Sequence, residues 1–534
     1  MSRADAVVIG AGHNALAAAL ILAKDGWKVT VLERAEQPGG AVRTAEVTLP
    51  GFRHDLYATN LNIFMGGAFF DRFKDDLFGH GFGVAGTPHA FASVFPDDSW
   101  AGVSADSDEL LASIAAHSQA DAAAWGELGG FFGEVAPALF AVLGSPMPSP
   151  TTAKALWPHR DVLRRRWREL LRLAVLSPRE LVEERFESPE VQTLVGSWGM
   201  HMDFGPDTPG GGVYALIETY AAAAHGMALG AGGAGCLIDA LGSLIEEQGG
   251  EVVCGAEAER IHVTDGRATA VTTTDGRRFE ASRAVIASTG PRALYDRLLN
   301  GQAVPSEVAR GARSYSYGPG TMMVHLAVDG LPAWTAGPQL RRYSYVHIAP
   351  YLGDLGIAYA QAMAGLLPEH PMIVVGQPTA VDPSRAPEGK HVLWLQVRAV
   401  PGTIRGDAAG IIATRDWAEA KEAYADRVLE IVERYAPGLS NAILGRHVIS
   451  PADLQAANPN LVGGDHLGGS LHPSQNFLFR PMAGWSNHRT PVKSLYMCGA
   501  ATWPGPGVGA GSGWLVGRQL TRPARVTSRL RRKV

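Results

Sequence analysis

Residues 8–15, VIGAGHNA, combine features that suit phosphate recognition: glycine where the backbone must come close, and no charged side chain in the way. Gly10 permits a tight turn and Gly12 lets the main chain approach a pyrophosphate. Ala15, the smallest substitute for a third glycine, keeps the next helix near the strand. His13 and Asn14 open that helix, whose free N–H groups and positive dipole end favour an anion. Glu33, followed by Arg34, stands about 20 residues further on. Its carboxylate can accept hydrogen bonds from ribose hydroxyls and would repel a 2′-phosphate, which argues against NADP. The residues therefore point to a dinucleotide site; the alternative is a glycine-rich turn that binds nothing. A second stretch near the C-terminus, CGAATWPGPGVGAGSGW at 498–514, has a similar design.

These residues need a frame. Ala6 to Ile9 is an apolar run suited to a buried parallel strand. Leu16 to Ala23 has helical apolar spacing, and WKVTVLER (27–34) reads as the second strand of a βαβ unit. Further along, Leu237, Leu241, Leu244 and Ile245 mark an amphipathic helix that Gly249-Gly250 ends. The segment from Glu259 to Ser288 then alternates as a hairpin, with turns at Asp265-Gly266 and Asp275-Gly276, and returns to a buried strand. The fold class is α/β. A discontinuous nucleotide domain is expected from 1–70, 225–295 and 480–534, with 71–224 and 296–479 inserted as an α+β substrate or lid domain.

Composition narrows the function. At 534 residues the chain is too long for one simple core. Its 46% apolar and 19% charged residues are those of a folded globular protein, and a net charge of −5 leaves no footprint for nucleic acid. Cys236, Cys254 and Cys498 lack metal or redox spacing, so no metal and no disulfide framework is expected, and a reducing compartment is. No secretory signal is visible, and no stretch reaches the apolar length of a membrane span. The expected location is cytoplasmic. Arginine outnumbers lysine, as in high-GC bacterial genomes.

Gly39-Gly40, just after the second strand, resembles the extension found in two-dinucleotide-binding flavoproteins. Five stretches widen the likeness: VIGAGHNALAAA, VLERAEQPGGAVRT, VHIAPYLGDLGIAYAQAMAG, DPSRAPEGKHVLWLQV and GGDHLGGSLHPSQNFLFRPMAGWSNHRTPVKSLYMCGAATWPGPGV. On these the chain resembles the phytoene desaturase-like branch of the FAD-dependent amine oxidase superfamily, in the subgroup typified by pyridine nucleotide-disulfide oxidoreductase domain-containing protein 2. The resemblance implies FAD and an enzyme that removes hydrogen from its substrate. It implies that the Gly39-Gly40 pair, followed by Ala41 and Val42, wraps the pyrophosphate and ribityl chain, with Tyr57 near the isoalloxazine. Arg43, where many relatives have a small apolar residue, would either help neutralise the phosphates or be a surface arginine. Ala258 would meet adenine through its backbone. Gly499 and Ala500 would pass the ribityl region, and Gly507-Val508 would start a helix aimed at the pyrimidine edge of the flavin. Relatives carry a histidine in that last motif where this chain has Trp503, which places an indole beside the flavin.

Hydride transfer to flavin N5 demands no catalytic side chain. Three further candidates nevertheless stand out: His201, in a Gly/Pro-rich turn with Trp198, Asp203 and Asp207, as a base or a loop histidine bonded to backbone; and Tyr345 and His347, on an alternating strand, as pocket residues or strand packing. His54 and Asp55 precede Tyr57, and Asp55 suits tying down the loop. The amine oxidases' flavin-side lysine has no counterpart, Lys390 opening a surface strand. The basic helix 159–176, with Leu163, Trp167, Leu170, Leu171 and Ala174 on one face, would either touch a membrane or pack as a lid. The leading expectation is an FAD-dependent dehydrogenase, desaturase or oxidase of a small apolar or moderately polar molecule, reoxidised by O2 or a quinone. The alternatives are a peroxide-producing amine or amino-acid oxidase and a flavin-free binding module like the Rab GDP-dissociation inhibitors.

Overall fold

The computed structural model describes residues 2–302 and 304–521; the last part of the 480–534 segment, 522–534, lies outside the described residues. Two seven-stranded sheets carry the fold. In the first, Ser2–Ile9 is central, parallel to Val29–Leu32 on one side and Arg278–Ala287 on the other. Glu251–Val253 extends one edge. On the other side, the antiparallel Arg267–Thr273 pairs with the start of Arg278–Ala287 and with the edge strand Ala258–Thr264, and the short parallel strand Leu495–Met497 pairs with the end of Arg278–Ala287.

Alternation along the central strand shows why the sheet has two covers. Ala6 and Val8 face a core shared with helix His13–Lys24, whereas Val7 and Ile9 face the opposite core. That helix is buried from Asn14 to Ala23, wedged between Gly235–Glu247 and Gly511–Thr521. Its approach to the last helix depends on missing side chains. A Cβ on Gly513 would lie 2.0 Å from the Asn14 carbonyl oxygen, and one on Gly517 would lie 2.9 Å from Ile21 Cβ. The C-terminal glycine stretch thus lies beside the N-terminal one.

The second sheet runs in the order Ile443–Ile449, Gly320–Val328, His391–Val400, Met372–Gly376, Tyr345–Ile348, His89–Val94 and Trp100–Ser104. Helix Trp417–Tyr435 covers one face, against Leu393, Leu395 and Val397. The alternate residues Trp394, Gln396 and Arg398 project to the other face, toward the helices between 107 and 225 and the cavity described below.

Helix Gln119–Leu143 is, by length and apolar character, able to cross a membrane, contrary to the expectation from sequence. Here its Trp125, Leu128 and Phe132 pack into the core, and Asp121 accepts hydrogen bonds from the Glu187 and Ser188 amides. The three cysteines are unpaired thiols.

Candidate functional site

An elongated cavity runs from the first glycine turn to the floor made by the second sheet. At the nucleotide end, Gly10 adopts φ +90° and Gly12 caps the first helix with no side-chain partner for the free N–H groups. A Cβ on Gly12 would meet nothing within 4 Å, so that position opens directly into the cavity. Glu33 accepts from the Ala11 amide at 2.8 Å and the Ala35 amide at 2.9 Å, and still lines the wall. The two glycine stretches are joined: His13 Nε2 meets the Gly507 carbonyl at 3.1 Å. Burial holds His13 neutral, with its pKa lowered to about 4.

Of the residues expected to hold the cofactor, Gly10, Gly12, His13, Asn14, Glu33, Arg34, Gly40, Ala41, Arg43, Tyr57, Ala258, Gly499, Ala500, Gly507 and Val508 line this cavity. Three do not. Ala15 is buried between helix and strand, where its small size is used for packing. Gly39 turns the chain at φ +129°, donates to the Ala11 carbonyl and lies behind the wall. Val42 points into the core, its amide donating back to Gly39.

The second glycine stretch needs two corrections. Its helix starts at Gly511 and not at Gly507-Val508, because positive φ at Gly505, Gly507 and Ala510 keeps the chain in a non-helical loop. Trp503 is not beside the cavity. Its indole is 1% exposed, packs on Phe477 and donates to the Ser145 carbonyl at 2.8 Å. It fastens the loop to the end of helix Gln119–Leu143.

The floor holds an aromatic pair. Tyr345 and Trp394 stack with centroids 5.7 Å apart and planes 14° from parallel. They sit in one row across three strands with Gly376 between them; a Cβ there would come within 3.0 Å of the indole. Tyr345 therefore lines the cavity, as does His201. His347 does not: it is fully buried behind Trp198 and His201, against Phe91, with neither ring nitrogen bonded. Nor is His201 placed as a base. Arg398 donates to its Nδ1 at 2.9 Å, which occupies the lone pair, and burial with the Arg398 cation holds its pKa far below the usual value.

Several lining residues carried no sequence signal: Glu218, Trp394, Gln396, Arg398, Asn460 and His466. Their strand alternation was readable, but which face meets a cavity is set by long-range pairing. Asn460 accepts from the Gly290 amide and donates to the Ser288 carbonyl, bracing the sheet end near the nucleotide. Burial pushes Glu218 up to about 7, with Arg398 pulling the other way.

Asp55 does tie down its loop. It pairs with the fully buried Arg385, which also reaches Asp382 and the Gly230 carbonyl. Asp55 accepts in addition from Thr44, Thr59 and the Ala234 amide. His54 sits behind the cavity, edge-on to His325. Asp203 is pushed up to about 7 by burial and by Asp465, and Tyr359 donates to it. Lys390 pairs with Asp329 away from the cavity.

An uncapped helix N-terminus, an open Gly12 and a cavity-lining Glu33 fit the pyrophosphate and ribose of a dinucleotide, and the long extension beyond them to an aromatic floor fits a flavin ring and its substrate. Fold and cradle together define an FAD-dependent oxidoreductase. Residues 8–75 match the model for the NAD(P)-binding Rossmann-like domain, and residues 109–517 match that for flavin containing amine oxidoreductase. The chain belongs to the flavin-containing amine oxidoreductases. It is 29% identical to the mouse pyridine nucleotide-disulfide oxidoreductase domain-containing protein 2, over 95% of this chain and 92% of that one. It is 27% identical to a neurosporene-forming phytoene desaturase of Rhodobacter capsulatus, over 96% and 93%. Among solved structures, wild-type putrescine oxidase bound to putrescine shares the fold at a TM-score of 0.58 and 15% identity, over 97% and 98%. These findings set aside the flavin-free binding module.

Proposed function

We propose that this chain dehydrogenates a small apolar or moderately polar molecule held on the Tyr345–Trp394 floor. The carrying observation is that aromatic row, continuous with the flavin cradle and flanked by Met323, Leu461 and Leu467. When bound, FAD supplies the two-electron acceptor, taking hydride at N5. The chain's own residues contribute position and a desolvated enclosure: Tyr345 and Trp394 offer flat apolar surface, and Gly376 keeps them in register. A cationic amine is a poor match, because the guanidinium of Arg398 lines the same floor. Anaerobic titration of the FAD-loaded protein tests the reading. Bleaching of the flavin bands by neutral or acidic substrates and not by amines is expected; bleaching by amines alone would sink it. Mixing the reduced enzyme with air or with a quinone then identifies the oxidant.

A second observation favours contact with an anionic membrane surface. On and beyond helix Arg160–Leu173, Trp167, Leu171 and Val175 form an exposed stripe at 55%, 62% and 57%, beside Arg164, Arg168 and Arg172. The stripe is not packed on the domain as a lid would be; only Leu173 is buried in that helix. Tryptophan and leucine next to arginines suit a headgroup boundary. Co-sedimentation with anionic vesicles, lost in W167A/L171A and weak with neutral lipid, is the expected result. Equal sedimentation of the double variant would remove the proposal.

A further inference from the structure

Three arginines, Arg385, Arg480 and Arg398, are buried near the cavity, and they differ in what satisfies them. Arg385 is held by Asp55 and Asp382. Arg480 donates to the Gly469, Ser470 and Ala500 carbonyls. Arg398, 7% exposed, has no carboxylate in ion-pair contact among the described residues. Of the five N–H donors of a guanidinium, its Nη1 serves the His201 carbonyl and His466 Nε2, and its Nη2 serves His201 Nδ1. That leaves Nε–H without an acceptor, along with one Nη2–H.

The surroundings fix this arrangement. His466 Nδ1 lies 2.8 Å from Thr321 Oγ1, and its Nε2 lies against both Arg398 Nη1 and the His201 carbonyl. Because His201 accepts at Nδ1, its proton sits on Nε2. Both imidazoles are neutral, and their pKa values lie far below the usual range through burial first and the Arg398 cation second. Among the described residues, the positive charge in this desolvated wall is bonded only to neutral acceptors, with Glu218 as the nearby acid. A buried cation without an anion is costly. The remaining Nη2–H belongs to a guanidinium that lines the cavity, and a carboxylate oxygen is the acceptor that would neutralise it.

We infer that Arg398 is the anchor of a substrate carboxylate, so that the molecule oxidised in this cavity is an organic acid whose hydrocarbon part lies on Tyr345 and Trp394. The inference rests on the dehydrogenase reading and deepens it by naming the substrate class. Glu218, which lines the same cavity, is the neighbouring acid. Its raised pKa lets it meet the ligand in the neutral form, and burial leaves Arg398, at about 9, cationic at neutral pH.

Benzoate is the probe, with benzamide as its neutral counterpart of the same shape and benzylamine as its cationic one. Calorimetry on the FAD-loaded protein reads affinity directly, and flavin content is read separately from the visible spectrum. Benzoate is expected to bind, with benzamide and benzylamine at least about 30-fold weaker. Arg398→Met should lose benzoate by a similar factor while keeping its flavin, and Arg398→Lys should recover part of the affinity. The wild-type comparison needs no variant, so a misfolded R398M cannot obscure the answer. Equal binding of benzoate and benzamide, no binding of either, or undiminished benzoate affinity in a flavin-loaded R398M would each overturn the inference. A protein that loads FAD without preferring the acid overturns this inference and leaves the dehydrogenase reading standing. A protein that takes up no FAD yet binds benzoate through Arg398 overturns the dehydrogenase reading, and with it the oxidation of that acid, leaving Arg398 as a carboxylate site alone.

Discussion

The two ends of the cavity are made of different material. The nucleotide end is built from backbone: open glycines, an uncapped helix N-terminus, and a glutamate fixed by two amides. The floor is built from side chains brought by strands far apart in sequence, with Tyr345, Trp394 and Arg398 projecting and one glycine recessed between the aromatics. A surface of main-chain N–H groups binds whatever anion fits and is spoiled by adding atoms. A surface of side chains selects by chemistry and is spoiled by removing them. One end suits any anion of the right shape, and the other is particular in its chemistry.

That contrast can be broken at several points. Arg385→Met removes the cation that holds Asp55 and the 230–234 loop to the Asp382–Arg385 turn. Leaving two buried carboxylates uncompensated should cost about 3–5 kcal/mol in chemical denaturation. A loss under 1 kcal/mol would show that the loop is held by packing alone. Next in size, Gly12→Val adds atoms only into open cavity, with its φ of −73° already suited to valine. FAD affinity should fall by about 2 kcal/mol, roughly 30-fold, with the melting temperature of the flavin-free protein nearly unchanged. Retained flavin would place the nucleotide elsewhere.

Trp503→Phe separates the two glycine stretches by role. It strands the buried Ser145 carbonyl and should cost about 1–2 kcal/mol of stability, with the flavin spectrum unmoved. A shifted spectrum would return the indole to the flavin's side. The smallest effect concerns pH. Glu218 is neutral below about 7 and anionic above it. It faces the Arg398 cation and Tyr345, while His201 and His466 on the other side of Arg398 stay neutral. Benzoate affinity should therefore fall about 3- to 10-fold as pH rises through 7, and Glu218→Gln should flatten the profile.

Legibility followed the same division. Gly10, Gly12 and Glu33 were readable because a phosphate turn needs consecutive residues of fixed type, and the structure places all three on one wall. Tyr345 and His347 share a strand face by sequence pattern, yet one lines the cavity and the other is covered by Trp198 and His201. Periodicity could not tell them apart. The C-terminal helix was read four residues early because proline and glycine allow both a turn and a helix start, and only the observed φ values distinguish them.

By itself, then, the sequence determined the βαβ cradle, the α/β class and the dinucleotide chemistry, all of which depend on contacts between near neighbours. Tertiary structure alone decided that the second glycine stretch flanks the first through Gly513 and Gly517, and that Trp503 faces away from the cavity. It also decided that Arg398 bonds to two histidines and, among the described residues, makes no ion-pair contact with an acid. Those outcomes depend on strand register and on segments from 68 to 499 residues apart, where no local pattern specifies the partner of a buried charge.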